Sequence, residues 1–278
     1  MAEQGTRLES EDDVRRVLQT LRAAASGRMP ATNALAAAED APPLFRPTIR
    51  PPIAILTVCD DGTDDGELIR IRTDRFVIGR TEGDLIVPND AQISSRHAEL
   101  RQFLVKDKYC WSLVDLQSTN GTYVRVGQAV LEHGQEFFIG RTQFRFESQP
   151  AAESAAPKPP ITSERGTRFR PLAVTGGQMS AGRPATLVEL NSAGEGSRFC
   201  LESPETWVGK DASLCQIVMA RDLLVNARHA RIRYQDDGQW LLENNRSVNG
   251  IWLRIEQISF QGTCRFMLGE QRFVIRAR

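Results

Sequence analysis

The chain is written twice. Within its 278 residues, "FVIGR" (76–80) is matched by "TWVGK" (206–210), and "SSRHAEL" (94–100) by "NARHARI" (226–232). Further on, "WSLVDLQSTNGTYVRV" (111–126) is matched by "WLLENNRSVNGIWLRI" (240–255), and "FFIGRTQFRF" (137–146) by "FMLGEQRFVI" (266–275). The register holds throughout: Gly79 to Gly209 is 130 positions, His97 to His229 is 132, and Gly121 to Gly250 and Gly140 to Gly269 are each 129. Self-similarity at a fixed offset means that one structural unit has been built more than once. Any fold for this chain must therefore accommodate two copies of a single module.

The module is all-β. Short apolar or alternating runs such as "AILTV", "RFVIG", "WSLVDL", "EFFIG" and "QFRFE" are separated by glycine, asparagine and aspartate turns. That pattern predicts a sandwich or barrel rather than alternating strands and helices. The expected organisation is an N-terminal helix and Pro/Ala-rich tether over 1–51, a first sandwich over 52–148, a flexible linker over 149–183 and a second sandwich over 184–278. The helix is expected over 10–27: Ser10 caps it, Val14, Val17, Leu18 and Leu21 recur at helical spacing, and Gly27 stops it. Whether it packs on its own protein or docks on a partner stays open. "RMPATNALAAAEDAPPLFRPTIRPP" and "ESQPAAESAAPKPPITSERGTRFRPLAVTGGQ" have tether composition.

Composition narrows the function classes. With 35 basic and 35 acidic residues the formal net charge is zero, so no global field draws the chain to nucleic acid or an anionic membrane. The acidic N-terminus lacks the pattern of a signal peptide, and no run approaches the ~18 apolar residues of a membrane span. A cytoplasmic protein without membrane insertion is expected. The five cysteines (59, 110, 200, 215 and 264) show no CxxC spacing, and the three histidines (97, 133 and 229) are scattered. No metal site, no cofactor and free thiols are expected.

In the first copy, Gly79-Arg80 ends a strand, Ser94 and His97 open another, and Thr119-Asn120-Gly121 forms a turn. Ser94 and His97 suggest a catalytic pair, with Asp115 the nearest acid to orient the histidine. No GxSxG-type elbow accompanies them, and the second copy keeps His229 but has Asn226 where Ser94 stands. The alternative is a polar pocket. A guanidinium grips a phosphate or carboxylate through two bonds, hydroxyls add neutral donors, and an asparagine amide clamps a peptide backbone. The set suits a compact dianion on an extended chain, and the pocket is the favoured reading.

"GR", then "SSRH", then "STNGT", then a final "IG" and a closing strand resemble the forkhead-associated (FHA) domain, over about residues 53–147. The resemblance implies a two-sheet sandwich of roughly eleven strands that reads phosphothreonine in peptides through loops at one end. It implies that Arg80 binds the phosphate and Ser94 hydrogen-bonds it. Thr119 would make another phosphate or threonine contact, Asn120 would hold the peptide main chain, and Ser95 would touch the peptide. Gly79, His97 and Gly121 would shape the loops. The loop "PNDAQI" before Ser94 carries no lysine or arginine to favour an acidic residue three after the phosphothreonine. In the second copy Lys210 replaces the arginine, Asn226 the serine and Val248 the threonine, while Asn249 and Gly250 remain. Lysine keeps the charge but loses the fork. Lys210, Asn226 and Asn249 thus form at best a weak second site in a diverged domain.

The function expected is a non-enzymatic signalling adaptor that binds phosphothreonine proteins made by Ser/Thr kinases, a kinase itself among the candidate partners. The alternative is a phosphate-independent scaffold or dimerisation protein. Thr48, in "LFRPTIRPP", and Thr162 and Thr167 are tether threonines that a kinase could reach; phosphorylated Thr48 would offer a route to self-association.

Overall fold

Apolar residues at every second position decide which face of each strand is buried. In "TQFRFES" (142–148), Phe144 and Phe146 point inward while their neighbours are partly exposed, as period-2 pleating requires. The computed structural model describes residues 54–148 apart from 61, 62 and 107, residues 184–277, and Arg7, Leu8, Asp12 and Arg15. The helix expected over 10–27 lies outside these residues except at Asp12 and Arg15, which are helical. The first tether, with Thr48, and the second from residue 149 on, with Thr162 and Thr167, lie outside them as well.

Strand β1 is Arg7–Leu8. The first repeat supplies β2 (Ala54–Cys59), β3 (Gly66–Ile71), β4 (Arg75–Gly79), β5 (Leu85–Ile86), β6 (Ala98–Val105), β7 (Lys108–Asp115), β8 (Thr122–Leu131), β9 (Glu136–Ile139) and β10 (Thr142–Ser148). The second supplies β11 (Ala185–Asn191), β12 (Gly194–Cys200), β13 (Glu205–Gly209), β14 (Ile217–Val218), β15 (Ala230–Tyr234), β16 (Trp240–Asn244), β17 (Ile251–Ile255), β18 (Gln257–Phe260), β19 (Thr263–Leu268) and β20 (Gln271–Arg276).

These strands make two sandwiches, and each sandwich takes its closing strands from the other repeat. β10 does not return to β2; it pairs with β11, from Gln143↔Leu190 to Ser148↔Ala185. β20 takes the place beside β2, with Leu56↔Ile275 and Val58↔Phe273. β9 pairs with β17, and β19 with β8. β18 crosses to β7, while the far half of β8 crosses to β16. The first sandwich consists of sheets β3-β2-β20-β19-β8 and β5-β4-β6-β7-β18; the second of β12-β11-β10-β9-β17 and β14-β13-β15-β16-β8. Apart from β1, which pairs with β8 (Arg7↔Gln128, Leu8↔Val126), each has ten strands among the described residues, close to the roughly eleven implied by the resemblance.

β8 and β17 pair antiparallel where the sandwiches meet, and Val124 faces Leu253. Leu253 is the residue 129 positions after Val124, its own counterpart in the repeat. A local two-fold axis therefore passes through this pair.

The sequence of β8 explains the crossing. "TYVRVGQAVL" runs for ten residues with no proline, Asn-Gly or Asp-Gly to turn it back. At about 3.3 Å per residue it spans roughly 30 Å, enough to leave one sandwich and enter the next. "IWLRIEQISF" in the second repeat likewise holds no turn pair, and β17 and β18 are interrupted only at Glu256.

The exchanged hairpins are held by core packing. Phe144 and Phe146 are buried against Phe199 and Trp240 of the second repeat, with ring centroids 6.3 and 6.2 Å apart. Phe266 and Phe273 stack at 5.0 Å inside the first sandwich. Buried residues of both repeats form one contiguous hydrophobic cluster. All five cysteines are unpaired. Among the described residues no helix is long and apolar enough to cross a membrane.

Candidate functional site

Three loops of the first repeat meet at one end of the first sandwich: the loop leaving β4, the loop entering β6 and the turn between β7 and β8. Arg80 N donates to Ser94 O (2.9 Å) and Glu82 N to Ser95 O (3.0 Å), which docks the first loop on the second. Gly79 permits this approach, because a β-carbon there would collide with Ser95 O. Thr119 N donates to Ser94 Oγ (3.1 Å) and Asn120 Nδ2 to Gln92 O (2.9 Å), which docks the turn on the second loop.

His97 is fully buried and ties the same parts together. Its Nδ1 accepts from Ser94 N (3.1 Å), so its Nε2–H donates to Gly121 O (3.1 Å). That arrangement needs the neutral ring. Burial depresses its pKa below the ordinary value of 6.5, against the upward pull of the Gly121 carbonyl and of Asp115 and Asp90. The ring bonds the main chain of Ser94, and the Ser94 hydroxyl is engaged by Thr119 N. The geometry joins Ser94 and His97 in a loop staple and not as nucleophile and base.

Asp115 braces the turn. Its Oδ1 accepts from Ser118 Oγ (2.6 Å) and Thr122 Oγ1 (2.6 Å), its Oδ2 from Ser118 N (2.9 Å), and Ser118 Oγ accepts from Gly121 N (3.0 Å). Ser118 and Gln92 escaped the sequence reading. A signal for Ser118 was present: Asp115 and Ser118 recur as Asn244 and Ser247 at the repeat offset.

The outcome is a rim of groups with bonding capacity to spare. Arg80 is half-buried: its Nε lies inside without a hydrogen-bond partner, while part of the side chain stays accessible. Ser94 accepts through its oxygen and keeps its proton to donate. Asn120 spends one N–H on Gln92 and keeps the other and its carbonyl. Ser95, Thr119 and Asn120 are exposed. All five residues expected at the site are brought together, with Gly79, His97 and Gly121 in the supporting layer.

The second repeat builds the same frame with different groups. Lys210 N donates to Asn226 O (3.0 Å), and Asn226 N to His229 Nδ1 (3.2 Å). His229 Nε2 lies 2.9 Å from Gly250 O, and Asn249 Nδ2 donates to Leu224 O (2.8 Å). Asn226 Oδ1 accepts from Val248 N (3.3 Å), as Ser94 Oγ does from Thr119 N. Burial likewise depresses the pKa of His229, outweighing the upward pull of the Gly250 carbonyl and Asp222. The frame is kept, while the arginine fork and the threonine hydroxyl are gone.

The FHA domain profile matches residues 76–140 and 206–269. The chain is similar to Mycobacterium tuberculosis EmbR, solved in complex with a low-affinity phosphopeptide: 22% identity over 34% of this chain and 24% of that one, TM-score 0.21. It therefore spans about a quarter of EmbR. It is also similar to the FHA domain of CT664 from Chlamydia trachomatis, with 28% identity over 32% of this chain and 91% of that one, TM-score 0.21. A third similar structure, from a study of phosphothreonine-dependent FHA domain interactions, shows 27% identity over 35% of this chain and 98% of that one, TM-score 0.21. No curated protein matches the chain.

Proposed function

We propose that this chain, which the FHA domain profile matches twice in tandem, is a phosphothreonine-peptide-binding adaptor acting downstream of Ser/Thr kinases through its first repeat. The observation that carries this is the docking of three loops on one another, which gathers Arg80, Ser94, Thr119 and Asn120 at one end of the sandwich. Phosphothreonine brings about −1.5 to −2 charges and three strong acceptor oxygens. Arg80 supplies the charge-assisted bonds, Ser94 and Thr119 add hydroxyl donors, Asn120 holds the peptide main chain and Ser95 lies on its path. The role is binding and not turnover, because the one histidine at the site is committed to the main chain through both ring nitrogens.

The test is fluorescence-polarisation binding of a degenerate phosphothreonine peptide library to the intact chain, beside phosphoserine and unphosphorylated libraries. A charge-assisted hydrogen bond is worth about 1.5–3 kcal/mol. Arg80→Ala should therefore weaken binding on the order of ten- to a hundredfold. Binding that ignores both phosphate and Arg80 would establish the scaffold alternative instead.

A further inference from the structure

The exchange of hairpins reaches into the binding loops. The turn between β19 and β20, Gly269–Glu270 of the second repeat, lies against the loop that enters β6 in the first. Glu270 N donates to Asp90 Oδ2 (2.6 Å), and Asp90 Oδ1 accepts from Gln92 N (2.9 Å). Gln92 Nε2 donates to Glu270 Oε1 (3.1 Å), and Gln92 O accepts from Asn120 Nδ2 (2.9 Å). An unbroken series of bonds thus runs from the second repeat to the residue that would hold a bound peptide's main chain.

A second contact supports the β7–β8 turn that carries Asn120. Arg254 of β17 packs under Gly121, its Nε 2.5 Å from where a β-carbon would stand, and its Nη1 is anchored on Glu136 Oε2 at 2.8 Å. A cleft leads away from Asn120 between Gln92, Tyr123, Glu136, Arg254 and Gly269, so residues of both repeats line it.

The arrangement is reciprocal. The β9–β10 turn of the first repeat lies against the second repeat's loop: Arg141 N donates to Asp222 Oδ2 (2.6 Å), Leu224 N to Asp222 Oδ1 (2.9 Å), and Asn249 Nδ2 to Leu224 O. Arg125 Nη2 donates to Val248 O (2.7 Å). The mirrored arginines have different partners. Glu136 pairs with Arg254, whereas the residue at its place in the second repeat is Arg265, a cation that cannot pair with an arginine; Arg125 bonds the carbonyl of the turn.

We propose that the phosphothreonine pocket of the first repeat is a composite site, its loops held by the Gly269–Glu270 turn and Arg254 of the second repeat. The inference rests on the phosphopeptide reading above and gives the diverged repeat a task that needs no phosphate of its own. Gly269, Glu270 and Arg254 act through Asp90, Gln92 and Gly121; they are positioning residues for Arg80, Ser94 and Asn120.

Paired lesions in the intact chain test it. Gly269 has φ +56°, and a β-carbon on it would press on the Asp90 carboxylate at 2.5 Å. Gly140 has φ +62°, and a β-carbon on it would press on Asp222 and Val225 of the second repeat. Both substitutions to alanine introduce the same backbone strain. Gly269→Ala is expected to weaken binding of the fluorescent phosphothreonine library tenfold or more, and Gly140→Ala to leave it within twofold. Hairpins that closed their own repeats would give the reverse order; that order, or equal effects, overturns the proposal.

Cross-linking tests the geometry apart from binding. In a Cys200→Ser background, Gln92→Cys with Glu270→Cys should form an intramolecular disulfide on mild oxidation of the monomer. Gln92→Cys with Arg141→Cys should not, and the opposite result overturns the proposal. If the unmodified chain shows no Arg80-dependent binding, the phosphopeptide reading fails and the composite pocket with it. The cross-link would still report which hairpin lies against Gln92.

Discussion

Lowering the pH from 7.5 to 5.5 should destabilise the fold through its two buried histidines. His97 and His229 are both fully buried and neutral, with Nδ1 accepting a main-chain N–H and Nε2 next to a carbonyl. Protonation would set an N–H against an N–H at Ser94 and at Asn226. Both rings have folded-state pKa values depressed below 6.5, chiefly by burial. The unfolded chain therefore binds protons first as the pH falls through about 6.5, and stability is lost from there down to the folded-state pKa. A histidine that stays neutral to pH 5.5 costs about RT ln 11, or about 1.4 kcal/mol, and the pair at most about 2.8 kcal/mol. Glu99 does not interfere in this window. The hydrogen bond from Arg101, helped by Arg75, holds its carboxyl below 4.5, so its contribution is lost only at lower pH. Urea midpoints at pH 7.5, 6.5 and 5.5 measure the effect, and His97→Gln should remove about half of the dependence. Stability that is flat or rises between pH 7.5 and 5.5 would refute the assignment of neutral histidine staples.

Phe146→Ala should cost about 3–5 kcal/mol, because the ring is fully buried and packed on Trp240. The loss should appear in a single calorimetric transition shared by both sandwiches, and two separated transitions would contradict the interleaved core. Converting the second site with Lys210→Arg, Asn226→Ser and Val248→Thr restores the fork and both hydroxyls on a frame already in place; titration calorimetry should then count two phosphopeptides per chain instead of one. With Cys200 exposed, burial of the other four thiols, raising Cys59 to about 11 and Cys264 to about 12, predicts one rapidly labelled cysteine in the native state at pH 7.5. Four or five fast-reacting thiols would mean that the core opens readily.

Much of this molecule is legible without coordinates. The repeat and the all-β class follow from local signals, alternation and turn residues, while the candidate pocket residues Arg80, Ser94, Ser95, Thr119 and Asn120 follow from the resemblance of their motifs to the FHA domain. The structural part of His97 is also readable, because His229 persists where Ser94 has become Asn226. What local signals leave undecided is which hairpin closes which sandwich. "FFIGRTQFRF" and "FMLGEQRFVI" present the same inward aromatic and aliphatic pattern, so each satisfies either core, and pairing across more than a hundred residues leaves no periodicity to read. The decision falls to tertiary structure: β8 runs straight where a turn would have kept the chain at home, and Val124 meets Leu253 on a local two-fold axis. Arg254 and Gly269 gain their places at the pocket only through that crossing, since a hydrogen bond between residues 92 and 270 exists only once the two repeats have exchanged strands.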